Sequence, residues 1–549
     1  MLEPQKVRLP ILQASAPAAL EPFALPAAPF FPKDLPPIDF AALRLDERPT
    51  LRTSSYTIYV DLPGNADEML LVHSYTGAYD KVTRRVATYL RSLEIHRPPK
   101  PLYGEWSPEP PVDGHAVPPS DVTIQTLKKR GYLTTMTTDE EEAFFGQTAA
   151  KFHHASIHKA PAYILMPTYQ CNLRCHYCFQ DHMRTDPAYR HLLRVIDRPM
   201  VDRLFKGMQS IERGHGIPEG AHLVRNITLF GGEPLLEESR PIIGYIIEKA
   251  LELGKAQLSA ISNATDLHVY EDLLGPEKIA FIQVTIDGPP REHDLRRVYE
   301  DGGGTFERIA RNVTMALDRG TQIAVRMNVD RGNIHLLPEL AEEIIRRGWD
   351  KYPIFTAYAA PIHPAYDGTD KDPLFNSWEL NKALEALKEG YPEVGLLRRQ
   401  DDSLTAGARR ILQKRSDPLP GFRSSFCGAH NKMYVLDPFG DLYACWERTG
   451  DPSVRIGTIA EDGTALVSPA TMASWRSRSV ATNPVCRKCR YATYCGGGCA
   501  VLAEGQSGDM HANHCDGFQK RFRASVAEAY VAHVSGDAAV VPAELPCDM

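Results

Sequence analysis

The chain has 549 residues, 43% of them apolar, with 43 prolines, 11 cysteines and a formal net charge of −7. That length exceeds a single core, so two or three domains are expected, and so mild a charge without a basic block excludes an electrostatic nucleic-acid face. No apolar run reaches the roughly 18 residues of a membrane span, the Pro-rich start lacks a secretory pattern, and grouped free thiols suit a reducing compartment, the cytoplasm, better than a disulfide scaffold.

Residues 1–49 hold ten prolines and read as an extended segment that wraps a surface. Residues 50–155 read as a small α+β module, winged-helix-like. Strands are expected at 55–60 and 69–73, and Gly77 opens an amphipathic helix through Val82, Val86, Tyr89, Leu90 and Leu93. A Pro-rich break at 98–119 follows. A second helix then starts at a capping box, Thr138-x-x-Glu141.

From 160 to 360 short apolar runs near 162–168, 226–230, 257–262, 280–286, 322–329 and 352–359 alternate with helix-length stretches, the pattern of an α/β fold with a parallel sheet and helices outside. A charged bridge, 361–424, carries helices at 378–390 and 404–414. A cysteine-rich region spans 425–520, and a helix at 518–534 leads into the tail, 521–549.

The first chemistry-bearing pattern follows the first strand. Cys171, Cys175 and Cys178 are spaced C-x3-C-x2-C, with Tyr177 before the last and Phe179 after it. Three thiolates leave a four-iron cluster one ligand short, and an iron without a protein ligand takes up a substrate or cofactor. Arg174 and His176 are placed to donate toward its sulfides. A zinc site or three unrelated buried thiols are the alternatives for a bare triad. The second strand ends in Gly231-Gly232-Glu233-Pro234, where two glycines admit a ligand close to the backbone and a carboxylate can accept from an ammonium group; alone, this tetrapeptide is equally a tight turn.

With these two motifs in sequence, the chain resembles the radical SAM superfamily. The resemblance implies a partial (β/α)6 barrel with its chemistry at the carboxyl ends of the strands. It makes Cys171, Cys175 and Cys178 the cluster ligands and Gly231, Gly232, Glu233 and Pro234 the cradle of the methionine amino group of S-adenosylmethionine. Ser262-Asn263-Ala264 stands where relatives carry Thr-Asn-Gly, on the ribose side. Thr285 and Arg297 are candidates for the methionine carboxylate, with Arg296 an equally placed rival.

Further on, Cys427, Gly440 and Cys445, then Cys486-x2-Cys489-x5-Cys495-x3-Cys499 and finally Cys515, resemble the SPASM extension of these enzymes, which carries two auxiliary clusters; a zinc knuckle is the alternative. Three [4Fe–4S] clusters are thereby implied. Cys486, Cys489, Cys495 and Cys515 would hold the distal auxiliary cluster, and Cys427, Cys445 and Cys499 the nearer one. Because residues 428–444 contain no cysteine, the nearer cluster is expected to have an open iron or a non-cysteine ligand, with His430, Asp437 or a substrate thiolate considered. Cys547 is left unassigned.

The resemblance implies a maturase that uses a 5′-deoxyadenosyl radical to install a carbon–carbon or thioether crosslink in a ribosomally made precursor peptide, fed by a donor such as flavodoxin or ferredoxin. Asp287 and His293 are the candidates for a base. The 50–155 module weakly resembles the RiPP recognition element, which takes a leader peptide as an added strand; a structural cap on the barrel mouth is its rival reading. Formylglycine formation as in anaerobic sulfatase maturases and dehydrogenation of a small alcohol are alternative outcomes, and a non-catalytic iron–sulfur carrier or sensor is the reading of another class.

Overall fold

The computed structural model describes residues 19–35, 38–95, 116–363, 374–399, 402–413 and 421–536. Most of the Pro-rich break, the end of the second bridge helix at Lys414, and Cys547 lie outside them.

The N-terminal segment contributes β1 (Glu21–Pro22), after which Phe23 buries its ring against His215 and Tyr434. The module follows. Its two-stranded piece pairs β2 (Arg52–Thr53) with β6 (Leu133–Thr134), and its sheet orders β3 (Thr57–Leu62), β4 (Asn65–His73) and β5 (Tyr79–Thr83) side by side, all antiparallel. The expected helix from Gly77 is therefore corrected. Val82 faces Met69 across the strands, and the helix Arg84–Ser92 begins only where the Thr83 side chain accepts from the Val86 amide. Helical spacing and strand alternation coincide over so short an apolar run. The capping box also shifts by one residue, to Thr137 and Glu140. Glu141 is instead fully buried, accepting from Arg52 at 2.7 Å and from the Ser55 amide at 3.0 Å.

Six parallel strands form the central body: β7 (Ala162–Leu165), β8 (Arg225–Leu229), β9 (Ala256–Ser262), β10 (Ile279–Thr285), β11 (Gln322–Val329) and β12 (Phe355–Pro361), hydrogen-bonded in that order. Their apolar runs are buried on both sides because helices such as Arg198–Gly214, Arg240–Glu252 and Phe306–Asp318 alternate with them. This is the expected partial (β/α)6 barrel.

The sheet continues past both ends of that body. β13 (Leu397–Arg399), from the bridge, lies parallel to β12. On the other side β14 (Met433–Leu436) pairs in parallel with β7, Met433 opposite Ala162, and β15 (Asp441–Tyr443), β16 (Gly457–Ile459) and β17 (Ala465–Val467) extend it antiparallel to β1. The start of the cysteine-rich region is thus welded to the first barrel strand.

The module sheet packs one face, Ile58, Val60, Leu70 and Val72, on Tyr494, Phe518 and Phe522 of the cysteine-rich region and final helix, and the other face on its own helix Arg84–Ser92. Polar contacts clamp the same junction. Arg490 donates to the Thr57 carbonyl at 2.7 Å and pairs with Glu94, the two side chains 1% and 5% exposed; Thr493 donates to the Ser74 carbonyl at 2.6 Å. Along β5 the outer edge has no strand partner among the described residues.

Candidate functional site

The loop after β7 carries Cys171, Cys175 and Cys178, and the loop after β8 is packed on its base. The Gly232 amide donates to the Thr168 carbonyl at 3.1 Å and the Glu233 amide to the Gln170 carbonyl at 2.7 Å. A β-carbon on Gly232 would stand 2.1 Å from the Gln170 oxygen, and one on Gly231, whose φ is +146°, 2.3 Å from that of Thr168. The two glycines are the condition for this approach.

The Glu233 carboxylate does not face outward. It is 2% exposed and accepts from Ser262 Oγ at 2.7 Å, the Asn263 amide at 2.5 Å and the Leu235 amide at 2.9 Å. Burial pushes its pKa up to about 7 against those donors. It ties the loop after β8 to the loop after β9. Asn263 Nδ2 in turn reaches Asn172 at 2.9 Å and Cys171 Sγ at 3.9 Å. Ala264, where a glycine was the family expectation, takes the left-handed φ of +61°.

Tyr177, beside Cys178, is a hub. Its hydroxyl accepts from Arg297 at 2.7 Å and from Asn328 at 3.1 Å and donates to Asp287. Arg297 faces the Cys175 thiol, whereas Arg296 is spent on Asp330 at 2.9 Å, which separates the two rivals. Thr285 ends β10 beside them, nearly buried. Asp287 and His293 are both fully buried and internally committed. Asp287 also accepts from the Asn328 amide at 3.0 Å, and His293 bonds the Asp287 amide and Thr305 Oγ1 at 3.3 and 3.0 Å. That geometry holds the loop after β10 in place; it leaves no face of either group for a substrate proton.

Two cysteine sets assemble in the C-terminal region. Cys486, Cys489, Cys495 and Cys515 line one small apolar pocket together with Tyr491 and Phe518. Cys427, Cys445 and Cys499 face one another electrostatically. Three glycines, all with positive φ, separate Cys495 from Cys499, and a β-carbon on Gly498 would strike the His514 carbonyl at 2.0 Å. This turn sends adjacent ligands to different sets. His430 adjoins the triad through its amide, which donates to the Cys427 carbonyl at 3.3 Å, and its buried Nε2 has no hydrogen-bond partner among the described residues. His430 stacks on Trp475 and bonds its carbonyl at 3.0 Å, and Asp437 caps its own turn through the Phe439 and Asp441 amides, both 2.8 Å. Glu447 and His363 also stand there: Glu447 faces Cys427 and Cys445, and His363 faces Cys499, with its Nδ1 3.2 Å from the Glu447 carboxylate. Their spacing carried no sequence signal.

Burial pushes the thiol of Cys171 up to about 11 and those of Cys175, Cys427 and Cys495 up to about 12. Thiols so desolvated become thiolates only beside a strong positive centre. Among the described residues, no three His, Cys, Asp or Glu side chains converge tightly enough for a single metal ion. Between the first triad and the second runs an aromatic line: Phe179 stacks on Phe230 at 6.4 Å and Phe230 meets Trp446 edge-on at 6.2 Å, the outer two adjoining Cys178 and Cys445. No described helix is long and apolar enough to cross a membrane.

Residues 165–344 match the radical SAM superfamily. GTP 3',8-cyclase of Sinorhizobium medicae is 24% identical over 310 residues, 55% of this chain and 79% of its own length. Mycofactocin maturase MftC of Mycolicibacterium smegmatis is 23% identical over 339 residues, 60% of this chain and 76% of its own. The solved structure of native anSMEcpe with bound AdoMet superposes with a TM-score of 0.50 at 17% identity, over 68% of this chain and 99% of that one, which shows a common fold. With the cysteine loop and the glycine cradle both inside the matched stretch, residues 165–344 form a radical SAM domain.

Proposed function

We propose that this enzyme is a peptide maturase that installs an intramolecular crosslink, carbon–carbon or thioether, in a ribosomally made precursor. The observation that supports this reading is the aromatic line Phe179–Phe230–Trp446, which leads from the residue after Cys178 to the residue after Cys445. A substrate radical formed between them has an oxidant within reach as the new bond closes. MftC is a maturase by name, and native anSMEcpe has been solved with both AdoMet and a peptide, Kp18Cys.

Bound to Cys171, Cys175 and Cys178, a reduced [4Fe–4S] cluster would supply the electron that converts S-adenosylmethionine to the hydrogen-abstracting 5′-deoxyadenosyl radical. The chain's own residues then have these roles. Backbone carbonyls at Gly231 and Gly232 receive the ammonium group, since Glu233 is engaged inside. Arg297, held by Tyr177, pairs with the methionine carboxylate as a planar donor. Ser262 and Asn263 fix the ribose side. Cys427, Cys445 and Cys499 hold the nearer auxiliary cluster and Cys486, Cys489, Cys495 and Cys515 the distal one, so that three clusters are loaded. The unpaired edge of β5 is the place for a leader peptide to add as a strand. A flavodoxin or ferredoxin in the cytoplasm delivers the electron.

Co-expression with the short reading frame beside the gene tests this. The peptide should lose one pair of hydrogens per crosslink, and Cys175→Ala should abolish the loss. An unmodified peptide, with 5′-deoxyadenosine still released, refutes the maturase reading while leaving the superfamily chemistry standing.

A further inference from the structure

We propose that Arg184 is a positioning residue of the first cluster site, whose fixed positive charge and N–H donors stabilise the reduced centre. It lies on the short helix Asp181–Thr185 just after Cys178. Nη2 donates to Cys178 Sγ at 3.1 Å, and the side chain is only 3% exposed. Its Nε and Nη1 are buried and meet no hydrogen-bond partner in the protein. A guanidinium with two donors left over inside a protein is costly unless something absent from the polypeptide receives them.

The surroundings say what that is. Cys171 and Cys178 are the groups the guanidinium faces. The nearest carboxylate oxygen, Asp181 Oδ1, stands 3.9 Å away, beyond hydrogen-bond reach of the guanidinium. Arg184 and Cys171 also line the same open cavity of about 610 Å³. The two residues that the loop itself suggests as sulfide donors are otherwise occupied. Arg174 donates to the Cys171 and Leu173 carbonyls at 3.1 and 3.0 Å and pairs with Glu300 at 3.2 Å, and His176 bonds the Arg296 backbone.

Hydrogen bonds to sulfur and nearby charge set the potential of such clusters. An added electron makes a centre with three thiolates more negative, and a fixed cation in a low-dielectric site lowers the energy of that state more than of the oxidised one. Arg184 therefore raises the midpoint potential, bringing reduction within range of a physiological donor. This inference rests on the cluster reading of the Cys171 loop.

The test is an anaerobic redox titration of the reconstituted full chain, followed by the electron paramagnetic resonance signal that changes when S-adenosylmethionine is added. Arg184→Met, loaded with as much iron and sulfide as wild type, should titrate at a more negative midpoint. Arg184→Lys should recover part of the shift, and Arg184→Gln, which keeps donors without charge, should fall between Met and Lys. Where Arg184→Met fails to load iron, the Gln and Lys pair decides by the same ordering. Midpoints equal to wild type in every loaded variant overturn the proposal. A wild-type protein without any signal responsive to S-adenosylmethionine overturns the cluster reading beneath it, which is a separate result.

Discussion

Replacing Gly232 with alanine is the sharpest test of how the site is built. The residue has an ordinary backbone conformation, so the added methyl costs nothing through φ and everything through contact. It would stand 2.1 Å from the Gln170 carbonyl oxygen and 2.4 Å from that of Tyr169, both in the segment leading to Cys171. Restoring van der Waals separation needs the two loops to part by roughly 1 Å. That movement breaks the amide bonds of Gly232 to Thr168 and of Glu233 to Gln170, now 3.1 and 2.7 Å long. Two buried donors left unpaired cost about 1–3 kcal/mol each, and overpacking adds about 1–3 kcal/mol, so a local penalty of about 3–9 kcal/mol falls on the cysteine loop. Gly232→Ala should therefore retain the rest of the fold, lose the iron of the first site, and release no 5′-deoxyadenosine. Gly407→Ala, in a helix where a β-carbon meets nothing within 4 Å, is the control. Iron and sulfide per chain, with a denaturation curve, provide the readout. A Gly232→Ala protein that loads full iron and cleaves S-adenosylmethionine at the wild-type rate would refute the reasoning.

Ala264→Gly should stabilise the enzyme by about 0.5–1 kcal/mol, because the left-handed φ costs an alanine about 1–2 kcal/mol and glycine returns part of that as chain entropy; an unchanged or lower denaturation midpoint would contradict this. Glu447→Ala should alter the spectrum of the nearer auxiliary cluster while leaving the signal responsive to S-adenosylmethionine intact, since its carboxylate faces Cys427 and Cys445; unaltered spectra would remove Glu447 from that site. Burial pushes His73 and His153 down to about 4 from the ordinary 6.5. Neutral histidines bind fewer protons folded than unfolded, so their contribution is complete above pH 6.5 and is lost as the pH falls toward 4. Urea midpoints should decline across that window, less steeply in His153→Gln, and parallel declines would count against the assignment. Arg490→Met removes one of the two guanidinium partners of the buried Glu94, which keeps Arg91 at 2.7 Å, and should cost about 1.5–3 kcal/mol at the junction of module and cysteine-rich region; hydrogen exchange should rise first in β3 and in residues 486–495.

The barrel was legible because its strands are uninterrupted apolar runs whose ends coincide with glycine or cysteine motifs, as at Leu229 before Gly231. Local ambiguity misplaced what lay between motifs. Thr137–Glu140 and Thr138–Glu141 both fit a capping box, and only the burial of Glu141 on Arg52 decides the register. Likewise Val82 fits a helix or a strand until Met69 is placed opposite it. The pairing of β14 with β7 joins residues about 270 positions apart and has no local signature. Within the site, the cysteines were readable because a cluster dictates their spacing. Arg184, Glu447 and His363 were not, because a side chain that approaches from another turn or strand obeys no interval along the chain. The partners of Glu233 were not legible for a related reason: its type fixes what it accepts, and its neighbours, Ser262 and Asn263, fix from whom.

The junction between the N-terminal sheet and the turn bearing Cys486 and Cys489 has a practical corollary. Tyr56 and Phe145 form part of the wall behind those sulfurs, so a chain begun at Ala160 would open the back of that chamber to oxygen and solvent. The front domain is thus insulation for those sulfurs, and any strain on its outer rim would be passed to their casing.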